Sequence, residues 1–258
     1  MRSGMVLTSE EERIAQLNIL KEVDKVCREN SIRYSLAFGT LLGAVRHHGF
    51  IPWDDDLDIM MPYYDMVRLR DILVSPIIRF YDVDTDSSYG NPFGNICLEN
   101  TYRKIGARKE RGIGIDVYPV VRIPSDPMKE TAFFKDAEVL QNKRARALRF
   151  RYTVMKHLYF CPPFNYSNII KRYRDYLVSY DECDSSRYYV IGGPLNNRRL
   201  TTYDVDLFQE LVELEFEGVG FLATAKYDLF LRMRYGNYME LPPEDQRHPY
   251  HGQTYFWK

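Results

Sequence analysis

Apolar residues recur at helical spacing from the start of the chain. Ile14, Leu17, Leu20, Val23 and Cys27 fall three or four residues apart, on one stripe of a helix. Thr8 or Ser9 stands just before this run, with Glu11 or Glu12 three residues on, the pattern of a capping box. The spacing predicts an amphipathic helix over residues 9–30. Residues 34–38 (YSLAF) then form a short apolar run stopping at Gly39, which predicts a strand ending in a turn. Residues 40–47 predict a short helix closed by Gly49. Residues 57–61 predict a strand that Pro62 ends. A helix over residues 65–73 and strands over 77–83 and 93–98 follow. Residues 112–121 (GIGIDVYPVV) predict an apolar strand with one acid inside it.

After Pro127 the pattern changes. Residues 128–180 read as mostly helical, broken at Cys161-Pro162-Pro163, and residues 203–221 read as mixed. Residues 227–235 predict a last helix, and Leu241-Pro242-Pro243 begins an irregular tail. The expected fold class is α+β: a mixed sheet with flanking helices in residues 1–125, and an integrated helical part in residues 126–258.

Composition narrows the classes. With 45% apolar and 28% charged residues the 258-residue chain is ordinary for a globular protein. A net charge of −1 provides no global field toward nucleic acid or an anionic membrane, so no nucleic-acid partner is expected. The first residues turn acidic before a signal-like apolar stretch develops, and no run approaches the roughly 18 apolar residues of a membrane span. The expectation is a soluble, cytoplasmic protein. Cys27, Cys97, Cys161 and Cys183 form no CxxC pair, and the histidines show no HExxH spacing. Reduced thiols and no structural zinc site are expected.

The candidate chemistry lies in Asp56-Leu57-Asp58-Ile59. On a strand, Asp56 and Asp58 share one face while Leu57 and Ile59 face the core. Two carboxylates side by side repel each other, and a divalent cation between them resolves the conflict. Hard oxygen ligands favour Mg2+ or Mn2+. Upstream, Phe38-Gly39-Thr40 ends a strand and opens a helix, where glycine allows close approach of a phosphate and free N–H groups face it. Asp116, alone in an apolar strand, is costly to bury unpaired and would complete a three-carboxylate cluster, as a ligand or as a proton acceptor.

Other readings of these acids compete. A calcium loop of the EF-hand type needs glycine at its sixth position, where Ile59 stands. A glycosyltransferase DxD follows a full nucleotide-binding unit, and only one predicted strand precedes this motif. A solvated acidic loop is opposed by Leu57 and Ile59. The alternating Asp82, Asp84 and Asp86 read as a solvated turn. The basic run Lys143, Arg144, Arg146, Arg149 and Arg151 reads as a solvated helix face or as a docking face for an anionic acceptor at the inner membrane surface.

A Gly-Thr turn, an acid–apolar–acid–apolar strand and a later lone acid resemble the nucleotidyltransferase superfamily. Residues 39–59 (GTLLGAVRHHGFIPWDDDLDI) and 227–247 (YDLFLRMRYGNYMELPPEDQR) resemble one branch of it, the LicD family of phosphocholine transferases. The resemblance runs from about residue 12 to about residue 251 and implies a nucleotidyltransferase-like core. It implies transfer of a phospho-alcohol from a CDP-linked donor to a sugar hydroxyl, with a divalent metal. It implies Asp56 and Asp58 as metal ligands, and Asp116 as third ligand or general base. Gly39 and Thr40 would line the donor phosphates, with Arg46 and His47 as further donor contacts. Asp54 and Asp55 would shape the loop or orient donor and metal ligands. Two departures stand out: Tyr63 takes a place where the family commonly has arginine, and Met66 one where it has tyrosine. Choline, ribitol, glycerol and a phosphonate alcohol all remain open as the transferred group, and a glycan or lipid-linked saccharide as acceptor. Transfer of a nucleoside monophosphate from a triphosphate is the second reading, and a non-catalytic nucleotide- or glycan-binding protein the third.

Overall fold

The structure is a computed structural model that describes residues 3–105, 108–153, 166–192, 195, 200–248 and 252–258. The expected break at Cys161-Pro162-Pro163 and the side chain of Arg151 lie outside them. The chain forms two compact units. One gathers Met1–Phe80, Asn95–Tyr118 and Leu207–Lys258; the other gathers Tyr81–Gly94 and Pro119–Asp206.

In the first unit, helix α1 (Ser9–Glu29) begins with the capping box its sequence predicts. The Glu11 amide donates to Thr8 Oγ1 at 3.2 Å, and the Thr8 amide donates to Glu11 Oε2 at 2.9 Å. The buried stripe is Ala15, Gln16, Ile19, Leu20, Val23 and Cys27. Ile14, expected in that stripe, is 52% exposed. The 15-19-23-27 row sets the inward face, so Ile14 falls at its rim beside Ile77 and Trp257.

Strand β1 (Ser35–Leu36) is shorter than expected, because Phe38 already opens helix α2 (Phe38–His47). Helix α2 closes on His48, which takes the left-handed conformation (φ 57°) and donates its amide to Gly43. Gly49, expected in that role, serves another purpose: the Glu217 carboxylate sits where a Gly49 side chain would be. Strand β2 (Asp58–Pro62), helix α3 (Tyr63–Ile72), strand β3 (Ile78–Tyr81), strand β4 (Gly94–Leu98) and strand β7 (Gly114–Ile123) follow the predicted order. The strands lie in the order β1-β2-β7-β4-β3. Between β4 and β7 run β5 (Thr101–Ile105) and β6 (Arg108–Glu110), which the periodicity does not announce.

The rest of this unit comes from the C-terminal residues. Strands β10 (Leu211–Phe216) and β11 (Val219–Thr224) form a hairpin, in the stretch read as mixed. Its two turn residues, Glu217 (φ 53°) and Gly218 (φ 72°), both have positive φ, as tight two-residue hairpins require. The hairpin is tied to side chains at the start of β1: the Thr224 amide donates to Ser35 Oγ at 2.9 Å and the Leu222 amide to the hydroxyl of Tyr34, just before the strand, at 3.2 Å. Helix α6 (Tyr227–Tyr235) packs on α2. The tail is not wholly irregular. Strand β12 (Tyr255–Trp257) pairs antiparallel with β5, matching Tyr255 to Arg103, and Leu7, Ala15, Ile113, Tyr255 and Trp257 share a small core.

In the second unit, helices α4 (Pro127–Thr153) and α5 (Tyr166–Val178) pack together. Phe133, Phe134, Tyr176 and Tyr189 interlock as aromatic pairs. The end of β7 pairs with β8 (Arg187–Val190), which pairs with β9 (Thr202–Tyr203). The Asp82–Asp86 stretch is a turn, but Asp82 is buried rather than solvated. Its Oδ1 accepts the amides of Asp84 and Thr85, which satisfies donors that a tight turn leaves unpaired. Of the basic run on α4, Arg144 is structural, donating to Gly90 O and Asn91 Oδ1 at 2.7 Å each. Lys143, Arg146 and Arg149 are exposed.

Cys27, Cys97 and Cys183 are free thiols, and Cys161 lies outside the described residues. No helix of the described residues is long and apolar enough to cross a membrane.

Candidate active site

Strand β2 starts at Asp58, so Asp56 stands in the irregular segment just before it and not on the strand as expected. Three hydrogen bonds hold Asp58 and the preceding Leu57 in place. Its amide donates to Thr40 Oγ1 at 2.8 Å, its carbonyl accepts the Ala37 amide at 3.0 Å, and the Asp116 amide donates to Leu57 O at 2.9 Å. Thr40, buried in the first turn of α2, thus anchors the acid-bearing strand.

Asp58 is buried among like charges. Burial drives its carboxyl well above the usual range, and the charges of Asp56, Asp116 and Asp54 push it further, with Arg234 opposing. Its Oδ1 is buried with no hydrogen-bond partner among the described residues. Asp54 is pushed up to about 7, first by burial, then by the charge of Asp56, a hydrogen bond with Asp56 and the charge of Asp55. The carboxylates of Asp54, Asp55 and Asp56 each bring an oxygen within 4.8 Å of one another. Asp54 lies directly over Gly39, where any side chain would collide with it.

Asp116 is held from both sides. Asn95 Nδ2 donates to its Oδ1 at 2.6 Å and to Ile115 O at 3.0 Å, and the Tyr118 hydroxyl donates to its Oδ2 at 3.5 Å. Asp55 faces the tail: its Oδ2 accepts the Gly252 amide at 2.9 Å, and its carbonyl accepts Gln16 Nε2 at 3.2 Å. Glu12 is pushed up to about 7 by burial and then by the charge of Asp55.

Of the predicted basic donor contacts, Arg46 directs Nη1 to the carbonyls of Tyr238 (2.7 Å) and Glu240 (3.1 Å), which braces the tail against α2. His47 meets Trp53 edge-on at 6.0 Å, and burial lowers its pKa, helped by Arg46. Tyr63 opens α3 and Met66 is buried, while Arg33 and Arg68 both pair with Asp65. Sequence reasoning missed Glu12, Asn95, Tyr118, Arg234 and Tyr235 as members of this region. The last two stood inside the tail motif and carried a readable signal, two charged or polar groups near a helix end.

The donor set fits a hard divalent cation. It consists of carboxylate oxygens, it crowds acids that resist ionising together, and it contains a buried oxygen that no described residue satisfies. Carboxylates grouped at the end of a sheet beside a Gly-Thr helix start define a site of the nucleotidyltransferase class.

The comparisons agree with that class. Residues 31–162 match the LicD/FKTN/FKRP nucleotidyltransferase domain. This chain belongs to that family and is a LicD-type transferase. It is 29% identical to the lipopolysaccharide cholinephosphotransferase LicD of Haemophilus influenzae, across 96% of this chain and 97% of that protein. An uncharacterized protein of Rickettsia prowazekii is 37% identical over 36% of this chain and 33% of its own length.

Proposed function

We propose that this chain transfers phosphocholine from a CDP-linked donor to a sugar hydroxyl of a cell-surface glycan or its lipid-linked precursor, releasing CMP. The observation that carries the reading is Asp58 Oδ1, buried without a partner among the described residues and surrounded by the charges of Asp56, Asp116 and Asp54. Support for the transferred group comes from the likeness to the cholinephosphotransferase over nearly its whole length.

Asp56 and Asp58 would hold a Mg2+ or Mn2+ ion, with Asp54 and Asp116 completing the set. Bound there, the ion would neutralise charge on the phosphate oxygens. Asp116, oriented by Asn95 and Tyr118, accepts the proton of the attacking hydroxyl. The hydroxyl oxygen forms a bond to the phosphorus bearing choline, and the bond from that phosphorus to the oxygen of CMP breaks. CMP departs with the electron pair. Such a displacement needs positioning and charge neutralisation more than covalent help. The exposed Lys143, Arg146 and Arg149 on α4 would meet an anionic acceptor at the inner membrane face.

The test is CMP release with Mn2+ and CDP-choline, run beside CDP-ribitol, CDP-glycerol, CTP and ATP. Metal-dependent CMP release from CDP-choline, lost in Asp58→Asn with an unchanged melting point, supports the reading. Transfer of nucleotide from CTP or ATP in its place would sink it.

A further inference from the structure

Arg234 stands on the last turn of α6. Its guanidinium carbon lies 4.7 Å from the centre of the Phe38 ring, and its Nη1 is buried with no hydrogen-bond partner among the described residues. A buried donor of a charged group left unpaired is costly, which suits it to an acceptor that arrives with a ligand. Other parts of the guanidinium are engaged: the Tyr235 side chain accepts a hydrogen bond from it.

The platform beneath the cation is itself unusual. Phe38 has φ 44°, a left-handed conformation that a bulky side chain adopts only under constraint from its surroundings. Its ring meets Tyr118 edge-on at 4.9 Å and tilts against Phe230 at 5.7 Å. Tyr118 in turn donates to Asp116. The strained residue that opens the Gly39-Thr40 turn therefore sets the height of a cation and touches the residue that orients the third acid. The charge of Arg234 acts on Asp58.

The electrostatics of the reaction give this cation a task. A diphosphate brought among Asp54, Asp56, Asp58 and Asp116 meets several negative charges, which one divalent ion does not balance. Arg46 has already committed its Nη1 to the tail carbonyls. Guanidinium groups hold phosphate oxygens in defined orientation, and stacking on an aromatic face keeps the fork rigid.

We propose that Arg234 is the phosphate-binding cation of this site, its Nη1 donating to a non-bridging oxygen of the donor diphosphate while Phe38 holds its plane. The proposal rests on the metal–diphosphate reading given above.

Calorimetry with CDP and with inorganic pyrophosphate, in the presence of Mn2+, tests it on wild type, Arg234→Gln and Arg234→Lys. Electron paramagnetic resonance measures Mn2+ affinity on the same proteins. The expected result is a loss of diphosphate affinity on the order of ten- to a hundredfold in Arg234→Gln, with part recovered in Arg234→Lys and Mn2+ affinity unchanged. Undiminished CDP affinity in Arg234→Gln overturns the assignment. So does an equal fall in Mn2+ affinity, which would make Arg234 a structural support. If Arg234→Gln does not fold, Arg234→Lys decides: it keeps charge and stem but not the fork, and unchanged affinity there also overturns the assignment. A wild type without Mn2+-dependent CDP binding refutes the underlying reading of the site, an outcome visible before any variant is compared.

Discussion

The carboxylate of Asp54 occupies the space that a side chain on Gly39 would fill. The glycine at the start of α2 therefore has a second task besides leaving the helix N-terminus open to phosphate. It admits an acid that also bonds to Asp56 and acts on Asp58. The two halves of the signature, the Gly-Thr turn and the acidic run, are physically interlocked.

Replacing Gly39 with alanine should push Asp54 out of the cluster. Expected is a loss of Mn2+ affinity of about tenfold or more, with a melting point within a few degrees of wild type, since the added methyl meets only the Asp54 carboxylate and no core side chain. Titration of Mn2+ against both proteins checks it. Equal affinity would show that Asp54 lies outside the metal set.

The Thr40 hydroxyl accepts the amide of Asp58 in a buried position. Thr40→Val leaves that N–H unsatisfied and should cost about 1–3 kcal/mol, whereas Thr40→Ser keeps the acceptor and should cost less. Urea unfolding of the two variants separates them; identical midpoints would mean that the hydroxyl does not hold β2.

Much of this site was legible, and the limits have physical causes. The helical stripe of α1 and the burial of Asp58 follow from local periodicity, which one segment carries by itself, whereas Asp116, set in an apolar run, is only half-buried. The early end of β1 at Leu36 does not, because an apolar run such as YSLAF gives no sign that Phe38 turns left-handed. Asp56 reads as a strand residue by alternation, but the Asp54–Leu57 segment follows the demands of Gly39 and the tail instead of a β-ladder. The pairing of β12 with β5 and the Gly252–Asp55 bond join residues far apart in sequence, whose partners no local pattern names. Arg234 was visible as a residue of the tail motif, while its stacking on Phe38 depends on α6 packing against α2.

In the second unit Asp84 is a hub. Burial raises its pKa, yet hydrogen bonds from Arg174 and Lys171 bring it down to about 2. A depressed carboxyl contributes stability that is present above its unfolded value of 3.8 and is lost as pH falls through about 2. Lys171 is half exposed, so Lys171→Ala should cost no more than about 1 kcal/mol. Asp84→Ala strips a partner from Arg174, which is 4% exposed, and should cost about 1–3 kcal/mol, limited by the remaining pair with Asp175. Chemical denaturation of both variants gives the ranking, and a larger loss in Lys171→Ala would refute it.

The metal-free protein should lose stability as pH rises toward neutrality, the reverse of ordinary acid denaturation. Asp54 moves from 3.8 up to about 7 on folding, chiefly through burial and then the charge of Asp56. Glu12 moves from 4.5 to about 7, through burial and then the charge of Asp55. Both groups bind protons more tightly folded than unfolded. Their contribution is therefore complete below the unfolded values and is lost as pH climbs through about 7. Asp84 does not blur this window, since its unfolded value of 3.8 lies below it. His47, lowered from 6.5 chiefly by burial, gains stability as pH rises and works against the fall, so the comparison with Asp54→Asn isolates the acids. Urea midpoints in the presence of a chelator should fall between about pH 5 and about pH 7.5, and the fall should flatten in Asp54→Asn, which keeps the shape but has no proton to lose. Adding Mn2+ near neutral pH should raise the midpoint, because a cation bound by the folded state alone stabilises it by mass action. Midpoints that stay level across the window, or a slope in Asp54→Asn as steep as in wild type, would mean that the acids around Gly39 are not forced together as the structure has them.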